Sequence, residues 1–318
     1  MPRLFFRKAD PGEVLVSGIV VSGLQTALNA LLPQKIVADG IFGSATREMV
    51  KQYQAFASIP VSGEVDDVTW LRLMHLPEPS IFGRCLQVTA HFEGTGYTHV
   101  VGNFDGAGLT WGIIGFTLSN GELGAILTDI SAGFPDLFNL AFGSDAAVIL
   151  AKIKLPRAER VAWADTISRG PHKMGVAEPW RSYFETLGAF PEIQRMQTDR
   201  AKRIYWTIAR HDAATFGLGE ELDLALFYDI AVQNGGMSSK GREAEVRARF
   251  AGSPAQTNAA LRQIIEDVVV ETSKPTFQND VRHRKATMRT GSGTVHGGTY
   301  QLADWGLASG QVPIDPDA

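Results

Sequence analysis

The chain has 318 residues, enough for two domains. Hydrophobic residues make up 44% and charged residues 20%, an ordinary globular balance with ample apolar side chains for a core. A net charge of -4 and a sequence pI near 6.0 leave no electrostatic footprint for nucleic acid.

The single cysteine, Cys85, excludes an intrachain disulfide, so the fold must stand on packing, and Cys85 itself is expected as a small core residue. The histidines are scattered, with no HExxH and no paired CxxC. His91 and His99 flank Glu93 but lack a third ligand at metal-site spacing, so no metal or organic cofactor is expected. Residues 1–8 are basic and partly apolar, but Asp10, Pro11, Gly12 and Glu13 interrupt them. The apolar run that follows is too short to span a membrane and precedes no small-residue cleavage site, so neither a signal peptide nor membrane insertion is expected.

Residues 16–74 read as short helices joined by glycine turns. Leu24, Leu28, Leu31 and Leu32 recur at helical spacing, with Gln25 and Asn29 on the other face. Gly40 and Gly43 suit a turn needing positive φ, and Ser44 is placed to cap the next helix, whose apolar stripe is Met49, Val50, Tyr53 and Phe56. The pattern then repeats, Gly63 matching Gly40 and Thr69 matching Thr46, with Trp70, Leu71 and Leu73 taking up the apolar role. Such a repeat implies that each half buries its face against the other. Asp39-Gly40-x-Phe42-Gly43-x-x-Thr46, running on to Tyr53-Gln54, resembles the three-helix peptidoglycan-binding domain of many cell-wall hydrolases. The resemblance implies a shallow groove for wall peptide beside the glycine turn, with Asp39, Phe42 and Thr46 as pointers to it.

Pro77 and Pro79 disfavour helix and mark a stiff boundary, giving expected domains of 1–78 and 79–318. Residues 81–93 read as a helix, with Leu86, Val88, Ala90 and Phe92 for packing and Glu93 near its end, stopped by Gly94 and Gly96. Residues 97–101 and 109–116 read as strands across the turn-prone segment 102–108. A carboxyl at a helix end thus meets a second, Asp105, in a hairpin turn, with eleven residues between them. Glycoside hydrolysis needs that inventory: one carboxyl held protonated for the leaving oxygen, the other ionised. An apolar wall around Phe92 would raise the pKa of Glu93, while a polar turn would leave Asp105 ionised. A carboxyl pair alone is common in any chain, so the surrounding residues must decide.

The run Asp105-Gly106-x-Gly108-x-Thr110-x-Gly112-Ile113-Ile114-Gly115-Phe116 resembles the chitosanases of the lysozyme superfamily. In that family the Asp and Thr of this run hold the attacking water and an upstream Glu is the general acid, roles that pass to Asp105, Thr110 and Glu93. Phe227-Tyr228-Asp229-x-x-Val232-x-Asn234-Gly235 is similar to the family's cleft-lining helix, and Gln197, Asp199, Arg203 and Tyr205 match a further helical stretch. The resemblance implies substrate contacts at Tyr97, Asn103, Gln233 and Asn234. It also implies support of the site by Asp229, with Arg284 as partner. Trp111, Trp180, Trp206 and Trp305 are expected mostly in the core.

There are departures. The spacing between Glu93 and Asp105 lies between those of chitosanases and phage-type lysozymes, and Phe92-Glu93-Gly94 is closer to a lysozyme. Chitosan is polycationic, and a chain this mildly acidic favours a neutral or acetylated sugar instead. The resulting expectation is a mainly α (α+β) protein. A three-helix bundle precedes a two-lobed lysozyme-like, chitosanase-like domain with a small β-hairpin sheet. Its activity would be that of an inverting muramidase, with the carboxyls roughly 6.5–9.5 Å apart. Rival readings are a chitosanase, a lytic transglycosylase, and a non-catalytic wall-binding or structural protein. The expected partner is peptidoglycan, met by a monomer. A holin or a contractile secretion apparatus would carry the protein out of the cytoplasm to the periplasm or wall, and an immunity protein would restrain it.

Overall fold

The computed structural model describes residues 2–94 and 96–315. Its first three principal helices, Ile19–Leu31, Ser44–Phe56 and Asp67–Met74, are organised by two buried glutamines. Gln25 is 1% exposed, not on an outer face as its position in the leucine pattern suggests. Its amide nitrogen shares its hydrogens among Asp39 Oδ1 at 2.9 Å, the Ile41 carbonyl at 3.1 Å and Thr46 Oγ1 at 2.9 Å. Its oxygen accepts from the Gly40 amide at 2.7 Å. Gln54 repeats the device, donating to Glu64 O at 2.8 Å and Thr69 Oγ1 at 3.1 Å and accepting from the Gly63 amide at 2.8 Å. The turn glycines sit at φ +76° and +77°, where a Cβ would be strained, and this places their amides on the glutamines.

Several local expectations need correcting. Gly43 is extended at φ -91°, and Ser44 opens the second helix without a side-chain cap. It is Asp66 that caps a helix, accepting from the Thr69 amide at 2.7 Å. Leu31, Phe56 and Leu71 are exposed, because the short helices turn only one narrow face inwards.

By its packing the chain divides into two compact units, 1–92 with 205–318, and 93–204. The sequence border at 78/79 therefore lies inside the first unit. Glu78 there is 8% exposed; its carboxylate accepts from Arg3 at 2.9 Å and from the Ile314 amide at 2.8 Å. Strand Leu4–Phe6 pairs antiparallel with Val65–Asp66. The centre of this unit is the helix Glu221–Asn234, buried from Glu221 to Ala231 and packed by Ile81–Phe92, Thr207–Thr215, Asn258–Glu271 and Gln278–Thr290. A helix apolar nearly all round is stable only when so enclosed. Glu221 is answered by Arg84 and Arg3, and Cys85 is buried as expected, burial pushing its thiol pKa well up.

The second unit holds a three-stranded antiparallel sheet, Val100–Val101, Thr110–Trp111 and Phe116–Thr117, and among its described residues six α-helices. The strand expected over 109–116 is two strands folded at Gly112–Gly115. Gly112 lies at φ +90°, and a Cβ there would stand 2.3 Å from Gln197 Oε1. In the core a run of ring contacts leads from Phe138 through Phe142 and Phe184 to Trp111, whose Nε1 donates to the Phe184 carbonyl at 3.1 Å.

Replacing Gln54 with Leu keeps the shape but strands the Gly63 amide and Thr69. The expected cost is about 3 kcal/mol, readable as a lowered midpoint in urea unfolding. An unchanged midpoint would show that the clasp does not hold the module.

Candidate active site

The helix Ile81–Phe92 ends where expected, and Glu93, half-buried, occupies the turn before Gly94. Asp105 lies in the connection between strands Val100–Val101 and Thr110–Trp111, exposed, its Oδ1 accepting from the Ala107 amide at 2.9 Å. Thr110 pairs with Val101 and Thr117. Side chains alternate along a strand, so burial of Trp111 turns Thr110 to the opposite face, where it is half-buried. Glu93, Asp105 and Thr110 thus all belong to the second unit.

Asn103 is what holds the Asp105 loop. Its backbone amide donates to Ser168 Oγ at 2.8 Å and its side-chain amide to Asp165 Oδ1 at 2.9 Å, while its oxygen accepts from the Gly108 amide at 2.9 Å. Asp165 also takes Lys173 at 2.6 Å, and the Lys173 and Asn103 hydrogen bonds hold its pKa below the usual carboxylate range. Tyr97 shares a 2.9 Å hydrogen bond with Thr198, and burial raises its phenol pKa. Gln197, fully buried, donates to the Tyr97 carbonyl at 3.0 Å and accepts from the Ile113 amide at 2.9 Å. One side chain therefore clamps the segment after Glu93 to the hairpin that carries Thr110. Sequence reasoning placed Gln197 in a resembling helix without finding this role, and it missed Asp165 and Ser168, whose partners lie more than sixty residues away.

The remaining expected site residues lie in the first unit. Arg284 does pair with Asp229, its Nη2 at 2.6 Å from Oδ1, and Lys285, which sequence reasoning passed over, holds the other oxygen and Gln233 Oε1. Gln233 donates to Asp280 at 2.7 Å, and Asn234 to Ser273 at 3.3 Å. Of the wall-module pointers, Phe42 and Thr46 are buried, and Asp39 is exposed with its Oδ1 bound by the Ile41 amide at 2.8 Å. Trp111, Trp206 and Trp305 are buried, while Trp180 is half-buried edge-on to Trp163. Among the described residues no three His, Cys, Asp or Glu side chains converge as a metal site would need.

Comparison with known proteins adds two findings. Residues 17–73 match the family described as a putative peptidoglycan binding domain. A mutant chitosanase from Bacillus subtilis MY002, solved with 6 GlcN, superposes with a TM-score of 0.50 at 18% identity, over 69% of this chain and 96% of that one. The chain has a chitosanase-like, mainly α fold joined to a module of peptidoglycan-binding type. A GH46 chitosanase from Gynuella sunshinyii in complex with chitotetraose gives 0.48 at 18% identity, over 65% and 85% of the two chains. Among curated proteins none matches.

In this chitosanase-like fold, Asp229 is fully buried beside two cations. Burial alone would raise its pKa; the charges and hydrogen bonds of Arg284 and Lys285 overcome that and hold it at about 2. A carboxylate depressed on folding stabilises above its unfolded pKa and loses that stability as pH falls through the folded one. Asp229→Asn is therefore expected to cost about 3–5 kcal/mol at neutral pH. The gap to the parent protein should narrow as pH drops from about 4 to about 2. Urea titrations at a series of pH values check this, and a gap independent of pH would contradict it.

Proposed function

We propose that the protein cuts the glycan strand of bacterial peptidoglycan as a muramidase. Glu93 is the general acid. Asp105 is the general base, with Thr110 positioning the attacking water, and the reaction inverts the anomeric centre, which asks for room for a water between the two carboxyls. The observation that carries this reading is Asp105 displayed to solvent on a loop held by Asn103 at three points, in the same unit as Glu93 and Thr110. A rigid, exposed carboxylate suits activation of water, and a half-buried one suits proton donation. The peptidoglycan-binding module supports the wall as substrate, raising the local concentration of glycan without altering the chemistry. Action in the wall or periplasm requires export, for which a holin or a secretion apparatus is the proposed route, with an immunity protein protecting the producer.

A second reading is a chitosanase, favoured by the likeness to the mutant chitosanase solved with 6 GlcN. Product analysis separates the two. Purified peptidoglycan digested by the full chain should yield fragments with reducing-end muramic acid by mass spectrometry, and chitosan in parallel should yield few. Glu93→Gln and Asp105→Asn should each slow cleavage by about 10²–10⁴-fold. A mild effect of Asp105→Asn would point to a transglycosylase, products from chitosan alone to a chitosanase, and no products from either to a wall-binding protein.

A further inference from the structure

The loop that carries Asp105 rests on a second hairpin, in which Ser168–Arg169 pairs with Gly175–Val176 after the helix Arg157–Ile167. This hairpin adds little to the core. Ser168 and Val176 are buried, but every residue of 169–175 is exposed. Its turn is also strained. His172 and Lys173, neither a glycine, lie at φ +52° and +59°, a conformation that L side chains rarely adopt. Packing does not explain an exposed turn that holds two such residues, and strain of this kind clusters at functional sites.

What the turn meets is the start of the Asp105 loop. Gly102 donates its amide to the Met174 carbonyl at 2.9 Å, and strand Gly175–Val176 lies against Val100–Val101. The approach is so close that a Cβ on Gly102 would stand 2.3 Å from the Lys173 carbonyl oxygen and 2.6 Å from that of Gly175. Both are backbone atoms, which cannot swing aside as a flexible side chain can. Next along the chain, Asn103 gives its amide to Ser168 Oγ and its side chain to Asp165. Asp165 binds Lys173 Nζ through both oxygens, at 2.6 and 2.7 Å, and so joins the helix, the turn and the loop. The Asn103 oxygen accepts from the Gly108 amide, closing the loop around Asp105.

We propose that the hairpin 168–176 is a seat that positions Asp105, with Asp165 and Lys173 as positioning residues and Gly102 as the contact that lets the loop approach. The proposal rests on the reading of Asp105 as general base, but one arm of its test does not need catalysis. Asp165→Ala takes the acceptor from Asn103 and the counter-ion from Lys173. It should lower kcat of the full chain on peptidoglycan by about ten- to a hundredfold, the size of a misplaced reacting group, with KM held within about twofold. Asp165→Asn keeps an oxygen for Asn103 and should recover most of that loss. Lys173→Met should cost only about two- to fivefold, because the pair is exposed. Gly102→Ala unseats the loop without touching a charge and should fall in kcat as Asp165→Ala does. Amide hydrogen exchange is the second arm. In folded Asp165→Ala it should quicken at Ala107 and Gly108, whose amides are bound inside the loop, and not in the helix Glu221–Asn234. An unchanged kcat, a loss taken in KM, an Asp165→Asn no better than Asp165→Ala, or unchanged exchange at Ala107 and Gly108 would each overturn the proposal. Quickened exchange there, in a protein whose parent cleaves neither peptidoglycan nor chitosan, would instead sink the catalytic reading and leave the seat of the loop standing.

Discussion

The helix Glu221–Asn234 is enclosed by its neighbours and yet carries three acidic side chains at no more than 1% exposure, Glu221, Asp223 and Asp229. Buried carboxylates are tolerated only with cations and hydrogen bonds around them. Glu221, in the first turn where the helix dipole favours negative charge, takes Arg84 and Arg3 and accepts from the Ala308 amide at 3.0 Å. Asp223 takes Arg262, and Asp229 takes Arg284 and Lys285. Each pair fixes a different segment to the same helix, so segments from Arg3 to Ala308 are registered against one element. Such pairs add little net stability over an apolar core, but breaking any one leaves a charge stranded.

The N-terminal module is built into this arrangement. Arg3 bridges Glu78 and Glu221, and strand Leu4–Phe6 pairs with Val65–Asp66 of the module while packing on the segment Leu302–Trp305. The module of peptidoglycan-binding type and the helical core around Glu221–Asn234 thus share one unit. Within the module the two glutamine clasps do the work of a larger hydrophobic core. Each ties the end of a glycine turn to a threonine of the next helix, satisfying backbone groups that a short helical repeat cannot pair by itself.

In the second unit, rigidity comes from side chains that reach backbone atoms. Gln197 binds backbone groups of two distant segments, and Asn103 ties its own loop to residues 165–168; between them they hold the Asp105 loop, the stretch after Glu93 and the turn at Gly112. A short sheet with two residues per strand has few ladder bonds, so these amide clamps fix the loop and hairpin that the ladder alone would leave loosely held.

The sequence by itself determined what depends on local pattern. The glycine-turn repeat of the module, the helix ending before Glu93, the turn carrying Asp105 and the mainly α composition are legible because 3.6-residue periodicity and glycine placement act over a few residues. The pairing of Asp229 with Arg284 was legible too, through resemblance, though its second cation Lys285 was not. Tertiary structure alone decided that Gln25 is a buried clasp, that 109–116 folds back on itself, that Asn103 anchors its own loop, and that the boundary near residue 78 lies inside a unit. Each of these depends on partners tens to hundreds of residues away, such as Asp165 for Asn103 and Ile314 for Glu78. A polar side chain reads as exposed in any local pattern, and only the arrival of a distant backbone group or counter-charge makes its burial stable.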